Sequence, residues 1–236
     1  MKSIMTYSPI SESQIHTVNS FQELISTSFH HQINAIGWTR NLIGDFAEII
    51  NKVQLDHNIT TLTEEELRGL ELSTQGKLAR KVLLNDMQML EDYGGSPTLN
   101  LIQHYDRDTS FPFFPTDVYS YHVDRSPIPV ETFLCTYHGD SSDILPNSQA
   151  QQKILIPEIR AELKTLYNGT DQGFESFLSE YFFDLHYQAN PQSDPTNLGV
   201  GHLWKLAVDH PKSNVLPCIH RAPKESSGKT RLLMIC

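Results

Sequence analysis

Cysteine is scarce in this chain of 236 residues, which has only Cys135, Cys218 and Cys236. So low and odd a number in a chain of this length is not that of a disulfide-stabilised secreted domain. The chain also lacks an apolar run of the roughly 20 residues needed to cross a bilayer. Met1 to Ile10 show no basic region followed by an apolar one, as a secretory signal would. We therefore expect a cytoplasmic protein without a membrane partner.

Positive charge is also in deficit, because 18 Lys and Arg residues face 28 Asp and Glu residues and leave a formal net charge of −10. A net anion is repelled by phosphate backbones, so the composition argues against a nucleic-acid partner. The sequence contains no phosphate-binding loop, no dinucleotide-binding glycine motif and no nucleophile elbow. It does not indicate an oligomeric state.

The distribution of periodic segments predicts one α+β domain over residues 1–236. Residues 1–96 are expected to be mostly helical, with capping-box spacing at Ser20-Phe21-Gln22-Glu23 and at Thr63-Glu64-Glu65-Glu66. Residues 97–236 are expected to be β-rich, with a helical insert at about 150–181. Strands are predicted over 33–38, 99–105, 118–124, 130–138, 182–187, 202–208, 215–221 and 230–235, and helices over 44–53, 75–93, 157–167 and 174–181.

One predicted strand carries an imidazole and a carboxylate two residues apart. Because side chains alternate along a strand, His122 and Asp124 share one face with Ser120. Two histidines and one carboxylate form a set that binds Fe(II) and leaves one side of the metal open for substrate and dioxygen. His122 and Asp124 are therefore predicted to be the local half of a metal site, which needs one more His from a distant strand.

The best candidate for the missing ligand is His220, in the segment PCIHRAP. A polar turn over 224–229 follows it, and Arg231 then begins an apolar strand. A hairpin of these two strands would place Arg231 deep beside the metal strand. A guanidinium there is costly without an anion, and its planar fork suits a carboxylate.

The order of His122-Val123-Asp124, His220 and Arg231 resembles the signature of the iron(II)/2-oxoglutarate-dependent dioxygenases. The resemblance implies a double-stranded β-helix (jelly-roll) core and Fe(II) held by His122, Asp124 and His220. It also implies that Arg231 binds the distal carboxylate of 2-oxoglutarate. The segment His220-Arg221-Ala222-Pro223, followed by Gly228 and Arg231, is similar to the C-terminal stretch of that superfamily.

The same resemblance assigns a polar co-substrate contact to Thr132 and Tyr137, on the strand after the His-x-Asp pair. It implies hydroxylation of a small molecule or a protein side chain. At closer range, the motifs FPTDVYSYHVDRSP, TFLCTYHG and PCIHRAP resemble a bacterial family of uncharacterised proteins, which implies no particular activity.

A non-catalytic metal-binding protein, with zinc held by the same His and Asp residues, is the first alternative. The cysteines offer a different zinc site, because Cys and His are the usual zinc ligands. Cys218 stands near His220, and Cys135 stands near His138. However, Cys135 and His138 are three residues apart and therefore face opposite sides of a strand. His186, on one strand face with Asp184, is another candidate ligand.

A structural or interaction protein without a metal is the second alternative. In that case His122 and Asp124 would form a hydrogen-bonded pair at a strand end, and His220 would be a buried residue bonded to backbone. Arg231 would then form an ordinary ion pair with one of the 28 acidic residues.

Overall fold

The computed structural model describes residues 13–55, 57–224 and 229–236. Its helices are α1 (Phe21–Ser26), α2 (Phe46–Lys52), α3 (Glu64–Gly69), α4 (Thr74–Tyr93), α5 (Pro157–Leu166) and α6 (Phe174–Glu180). Its strands are β1 (Ile15–Val18), β2 (Ala35–Trp38), β3 (Ile59–Leu62), β4 (Thr98–Ile102), β5 (Tyr121–His122), β6 (Glu131–His138), β7 (Asp143–Ile144), β8 (Ala150–Gln152), β9 (His186–Ala189), β10 (Thr196–Asn197), β11 (Leu203–Ala207), β12 (His220–Arg221) and β13 (Arg231–Ile235). Short 3₁₀ turns lie at Asn147–Gln149, Lys153–Leu155, Asp171–Gly173 and Phe183–Leu185.

Two predicted features lie outside the described residues. They are the N-terminal segment 1–10, considered as a secretory signal, and residues 225–228 of the predicted turn, Gly228 among them. Within the part of the chain that the structure describes, no helix is long and apolar enough to cross a bilayer.

The strands of the described residues form two curled sheets. The seven-stranded sheet has the order β1-β2-β11-β6-β13-β4-β3, and the six-stranded sheet has the order β10-β7-β12-β5-β9-β8. Strands β1 and β2 pair in parallel, whereas the other pairings within both sheets are antiparallel. The fold therefore mixes helices with mainly antiparallel sheets, as predicted.

Three layers follow from the two faces of the seven-stranded sheet. One face packs against the N-terminal helices through a large apolar cluster, to which α4 contributes Leu83 and β6 contributes Phe133. The other face packs against the six-stranded sheet, where Leu134 and Leu233 meet Ile144 and Cys218. The seven-stranded sheet is thus buried on both faces, and this explains the nearly continuous apolar texture of its central strands.

Local signals in the sequence define the helix boundaries. Thr63 and Glu66 form the predicted reciprocal capping box at the start of α3. Helix α4 spans the predicted amphipathic segment, begins after the Ser73 cap and ends at Gly94, whose φ of 101° favours glycine. Helix α5 has Pro157 in its first turn, as predicted.

Several strands are shorter than the sequence pattern predicts. Strand β5 covers only part of 118–124, because Asp117 bonds locally to the backbone: its carboxylate accepts from Tyr119 N and its carbonyl from Ser120 N. These bonds compete with the strand ladder. Strand β9 begins at His186 rather than at Phe182, because Phe182 adopts a left-handed φ of 59° that interrupts an extended chain.

The predicted hairpin between the strands of His220 and Arg231 is wrong. Strand β12 lies in the six-stranded sheet, whereas β13 lies in the seven-stranded sheet between β4 and β6. The reason is burial: Leu232 and Met234 face the helices while Leu233 faces the other sheet. A strand that is apolar on both faces belongs at the centre of the layered structure.

Candidate metal centre

The three predicted ligands come together where β5 and β12 meet. His122 and His220 are direct Cα partners across these antiparallel strands, and their ring centroids are 4.6 Å apart. Asp124 follows two residues later on the same face. One potential ligand atom from each of the three residues lies within 4.8 Å of the other two. The distance from His220 Nε2 to Asp124 Oδ2 is 3.8 Å.

Backbone carbonyls orient both imidazole rings. His122 Nδ1 lies 2.8 Å from Ser120 O, and His220 Nδ1 lies 3.2 Å from Cys218 O. Because a carbonyl only accepts, each Nδ1 carries the proton and each Nε2 keeps its lone pair. Hydrogen bonds of this kind to the outer nitrogen are typical of metal-binding histidines.

The carboxylate of Asp124 is held from the facing sheet. Thr132 Oγ1, on β6, donates a hydrogen bond of 2.6 Å to Asp124 Oδ2. The backbone of Asp124 is fixed as well, because its carbonyl accepts from Asp209 N at 2.8 Å. Arg125, the next residue, pairs with Asp184 at 2.8 Å and with Asp209 at 2.9 Å. The carboxylate and the chain that bears it are therefore both anchored.

The surroundings of His122 and Asp124 favour the protonation states in which these residues can bind a metal. Burial, assisted by the neighbouring His220, lowers the pKa of His122 to about 4. Burial would raise the pKa of Asp124, but His220 and the Thr132 hydroxyl outweigh it and lower that pKa. At neutral pH the site thus presents a neutral imidazole and an ionised carboxylate, the protonation states that a metal requires.

The donor set fits a divalent transition metal. Two imidazole nitrogens and one carboxylate oxygen suit iron or zinc and leave coordination positions open. Within residues 13–55, 57–224 and 229–236, no other group of three or more His, Cys, Asp or Glu residues brings its potential ligand atoms within 4.8 Å of one another.

Neither of the predicted cysteine ligands joins this centre. Cys135 faces the helices, where its sulfur lies 3.8 Å from a guanidinium nitrogen of Arg40. Cys218 is buried between the sheets, and burial raises its pKa well above the usual range, as it raises that of Cys135 to about 12. Both thiols are therefore protonated at neutral pH, whereas zinc binds the thiolate.

Arg231 is buried in a pocket of hydroxyl groups. Its side chain donates to Thr136 Oγ1 at 2.8 and 3.3 Å and to Ser142 Oγ at 2.9 Å, and the residue is 6% exposed. Burial lowers its pKa, although Tyr105 and the charge of Asp140 oppose this effect. The charge of Asp140 thus acts on the Arg231 guanidinium, and the ion-pair alternative stays beside the co-substrate role.

The two residues predicted to contact a co-substrate lie on opposite faces of β6. Thr132 points to the metal centre, where it bonds to Asp124. Tyr137 points to the helices, and its hydroxyl donates to Asp86 Oδ2 at 2.7 Å. Since the two positions differ by an odd number, strand periodicity places them apart. The structure therefore does not bring Tyr137 to the centre.

His186 lies beside the centre but outside the ligand group. It is the direct Cα partner of His122 across β5 and β9, and the two ring centroids are 5.9 Å apart. Asp184, predicted to accompany it, instead binds Arg125. Arg125 and Lys153, which lie beside the site, were not predicted from the sequence. Arg125 follows Asp124 directly, whereas no local pattern singles out Lys153.

Comparisons of this chain with protein-family models, with curated proteins and with solved structures give no significant match.

Proposed function

We propose that this protein is an Fe(II)/2-oxoglutarate-dependent oxygenase that hydroxylates a small molecule or a protein side chain. The observation that carries the proposal is the pairing of His122 with His220 beside Asp124, with a buried guanidinium, Arg231, on the facing sheet. The first group suits Fe(II), and the second suits a carboxylate of the co-substrate.

The strand order supports a jelly-roll core. Eight strands, β4 to β7 and β10 to β13, form the paired runs β4-β13-β6-β11 and β5-β12-β7-β10 in the two sheets. Numbered one to eight along the chain, they read 1-8-3-6 and 2-7-4-5. Two facing sheets of four strands in this order correspond to the double Greek key of a jelly roll.

The contacts of Arg231 connect it with the strand next to the centre. His220 is the Cα partner of Ile144 on β7, and Ser142, which accepts from Arg231, is two residues before Ile144. This connection supports a co-substrate that binds both the metal and the guanidinium.

Each part of the site has a separate role in this proposal. His122, His220 and Asp124 would hold Fe(II) on one side, and Arg231 would bind the distal carboxylate of 2-oxoglutarate. Thr132 keeps the Asp124 carboxylate in position. When bound, the metal and co-substrate would supply oxidative decarboxylation coupled to hydroxylation. The burial of His220 and of Arg231 would keep bulk water from the reacting groups.

A non-catalytic zinc site is the second candidate function. It is favoured by the same donor set, because two imidazole nitrogens and one carboxylate oxygen also occur at zinc sites with an open position. The two candidates differ in the role of Arg231. In the oxygenase it would bind a carboxylate of the co-substrate, whereas in a non-catalytic zinc protein it would bind no co-substrate.

Anaerobic titration distinguishes the two functions. We expect the Fe(II)-loaded protein to develop a new visible absorption band on addition of 2-oxoglutarate and, after admission of oxygen, to produce succinate. His122→Ala should lose metal binding, and Arg231→Met should bind metal normally but lose most affinity for 2-oxoglutarate. Arg231→Lys, which retains a cation, should keep part of that affinity. Tight zinc binding with no response to 2-oxoglutarate would refute the oxygenase and favour the second candidate.

A further inference from the structure

A row of basic side chains crosses the six-stranded sheet at the level of the metal centre. His220, His122 and His186 are successive Cα partners on β12, β5 and β9. Lys153 follows β8 directly, and the β8–β9 register places it opposite His186. The metal centre therefore has an imidazole and an ammonium group on its β9 side, in a chain whose net charge is −10.

Lys153 is a partly buried cation whose hydrogen bonds go to neutral groups. Its Nζ donates to Ser120 Oγ at 2.7 Å and to Pro115 O at 3.4 Å, and lies 4.9 Å from the centroid of the Phe114 ring. No described carboxylate is within 4.0 Å of it as an ion pair. An ammonium group has three donors, so a third hydrogen bond is available.

His186 carries a buried polar atom without a partner. The residue is 4% exposed, and its Nδ1 accepts or donates no hydrogen bond among the described residues. Phe114 packs against the ring almost perpendicularly, at 6.1 Å between centroids. A buried polar atom left unsatisfied costs free energy, and such an atom in a folded protein calls for an explanation such as a bound group.

The segment that covers these side chains is a long loop. Residues 103–120 connect β4 to β5 without a helix or strand. Loops longer than about 12–15 residues are uncommon in compact domains and are usually either functional or linker segments. Phe114 and Pro115 of this loop reach His186 and Lys153, and the Ser120 carbonyl bonds to His122. The loop thus touches both the metal centre and the basic pair.

We propose that the β9 side of the metal centre binds the carboxylate of an acidic substrate, held between Lys153 Nζ and the His186 ring against the Phe114 wall. The inference rests on the proposed oxygenase function and narrows its substrate to a carboxylic acid.

The surrounding charges favour a carboxylate over a phosphate. Burial lowers the pKa of Lys153, and Asp117 partly offsets this effect. Lys153 supplies one positive charge, and the nearby Asp117 carboxylate acts on it. One cation beside a carboxylate suits a monoanion better than a phosphate dianion, because that carboxylate repels each further negative charge.

The test compares hexanoate with hexanamide, a matched neutral probe, by ligand-observed NMR on the Zn²⁺-loaded protein. Hexanoate is expected to bind at least about tenfold more tightly, the effect of one charge-assisted hydrogen bond. Lys153→Met should remove the preference, and Lys153→Arg should retain it. His186→Phe, which keeps a buried ring, should weaken hexanoate binding several-fold.

Two results would overturn the inference. One is equal binding of hexanoate and hexanamide by the wild-type protein. The other is a preference that survives in Lys153→Met but disappears in metal-free His122→Ala, because the carboxylate would then bind the metal itself. Zn²⁺ titration of each variant verifies that the centre is intact. If the protein does not bind 2-oxoglutarate but still prefers hexanoate over hexanamide through Lys153, the oxygenase function is refuted and the carboxylate site is retained.

Discussion

The hydroxyl of Thr132 donates a 2.6 Å hydrogen bond to the carboxylate of Asp124, and this bond joins the two sheets at the metal centre. Thr132 belongs to β6 of the seven-stranded sheet, whereas Asp124 follows β5 of the six-stranded sheet. The orientation of one predicted ligand therefore depends on a residue outside the predicted ligand set.

Removal of that hydroxyl should weaken metal binding. We expect Thr132→Val, which preserves the side-chain shape, to lower affinity for Zn²⁺ or Fe(II) about tenfold, because partners of metal ligands typically contribute 10- to 100-fold. Thr132→Ser should remain within a few-fold of wild type. Competition with a chromogenic chelator measures both variants, and equal affinity for Thr132→Val would exclude the positioning role.

Arg125 should couple the metal strand to the helical insert. It binds Asp184 and Asp209, and its third nitrogen lies 3.2 Å from Ser179 Oγ on α6. Arg125→Ala should lower the free energy of unfolding by about 1–2 kcal/mol. It should also speed amide exchange over α6.

The control for this variant is Arg68→Ala, which breaks an exposed pair within α3. It should change the free energy of unfolding by less than about 0.5 kcal/mol. Urea unfolding and hydrogen-exchange mass spectrometry provide the comparison. Unchanged exchange over α6 in Arg125→Ala would contradict the coupling.

Tyr137 should contribute to stability and not to co-substrate binding. Its hydroxyl bonds to Asp86, which is fully buried and also paired with Arg40. Tyr137→Phe should cost about 1 kcal/mol of unfolding free energy. Asp86→Ala, which leaves the largely buried Arg40 guanidinium without its carboxylate, should cost about 3 kcal/mol. The affinity of Tyr137→Phe for 2-oxoglutarate should equal that of wild type. A tenfold loss of affinity would show that Tyr137 contributes to co-substrate binding.

Asp108 should make stability depend on pH in the acid range. Hydrogen bonds from the Thr116 hydroxyl and the Ser110 amide lower its pKa to about 2. A carboxylate with a lowered folded-state pKa stabilises the fold above its unfolded pKa, near 4, and this contribution is lost as the pH falls towards 2.

The measurement is the difference in unfolding free energy between wild type and Asp108→Asn. It should be constant above pH 5 and shrink steadily between pH 4 and the lowest pH at which both proteins remain folded. Asp106→Asn, at an exposed neighbour, is the matched control. A difference that stays constant down to pH 3 would show that the pKa of Asp108 is not lowered.

Local features of the fold were predictable where the sequence determines them within a few residues. The Thr63 capping box and helix α4 depend on short-range spacing, and both are present. The side-by-side placement of His122 and Asp124 follows from strand periodicity, and the choice of His220 follows from residue chemistry.

Long-range pairing was not predictable in the same way. The sheet to which Arg231 belongs depends on burial of β13 from both faces, which a local apolar run does not reveal. The approach of Lys153 and His186 to the centre depends on the register of β8, β9 and β5. Similarly, Asp117 shortens β5 through bonds that a pattern of alternating side chains does not show.

The placement of β12 and β13 in opposite sheets has a mechanical consequence. A molecule that binds both the metal centre and Arg231 would contact both sheets. Its affinity for the protein would then depend on the distance between the sheets. Substitutions in the core between them, such as those at Leu134 or Leu233, would therefore alter that affinity. Occupancy would in turn slow amide exchange in strands that the molecule never touches.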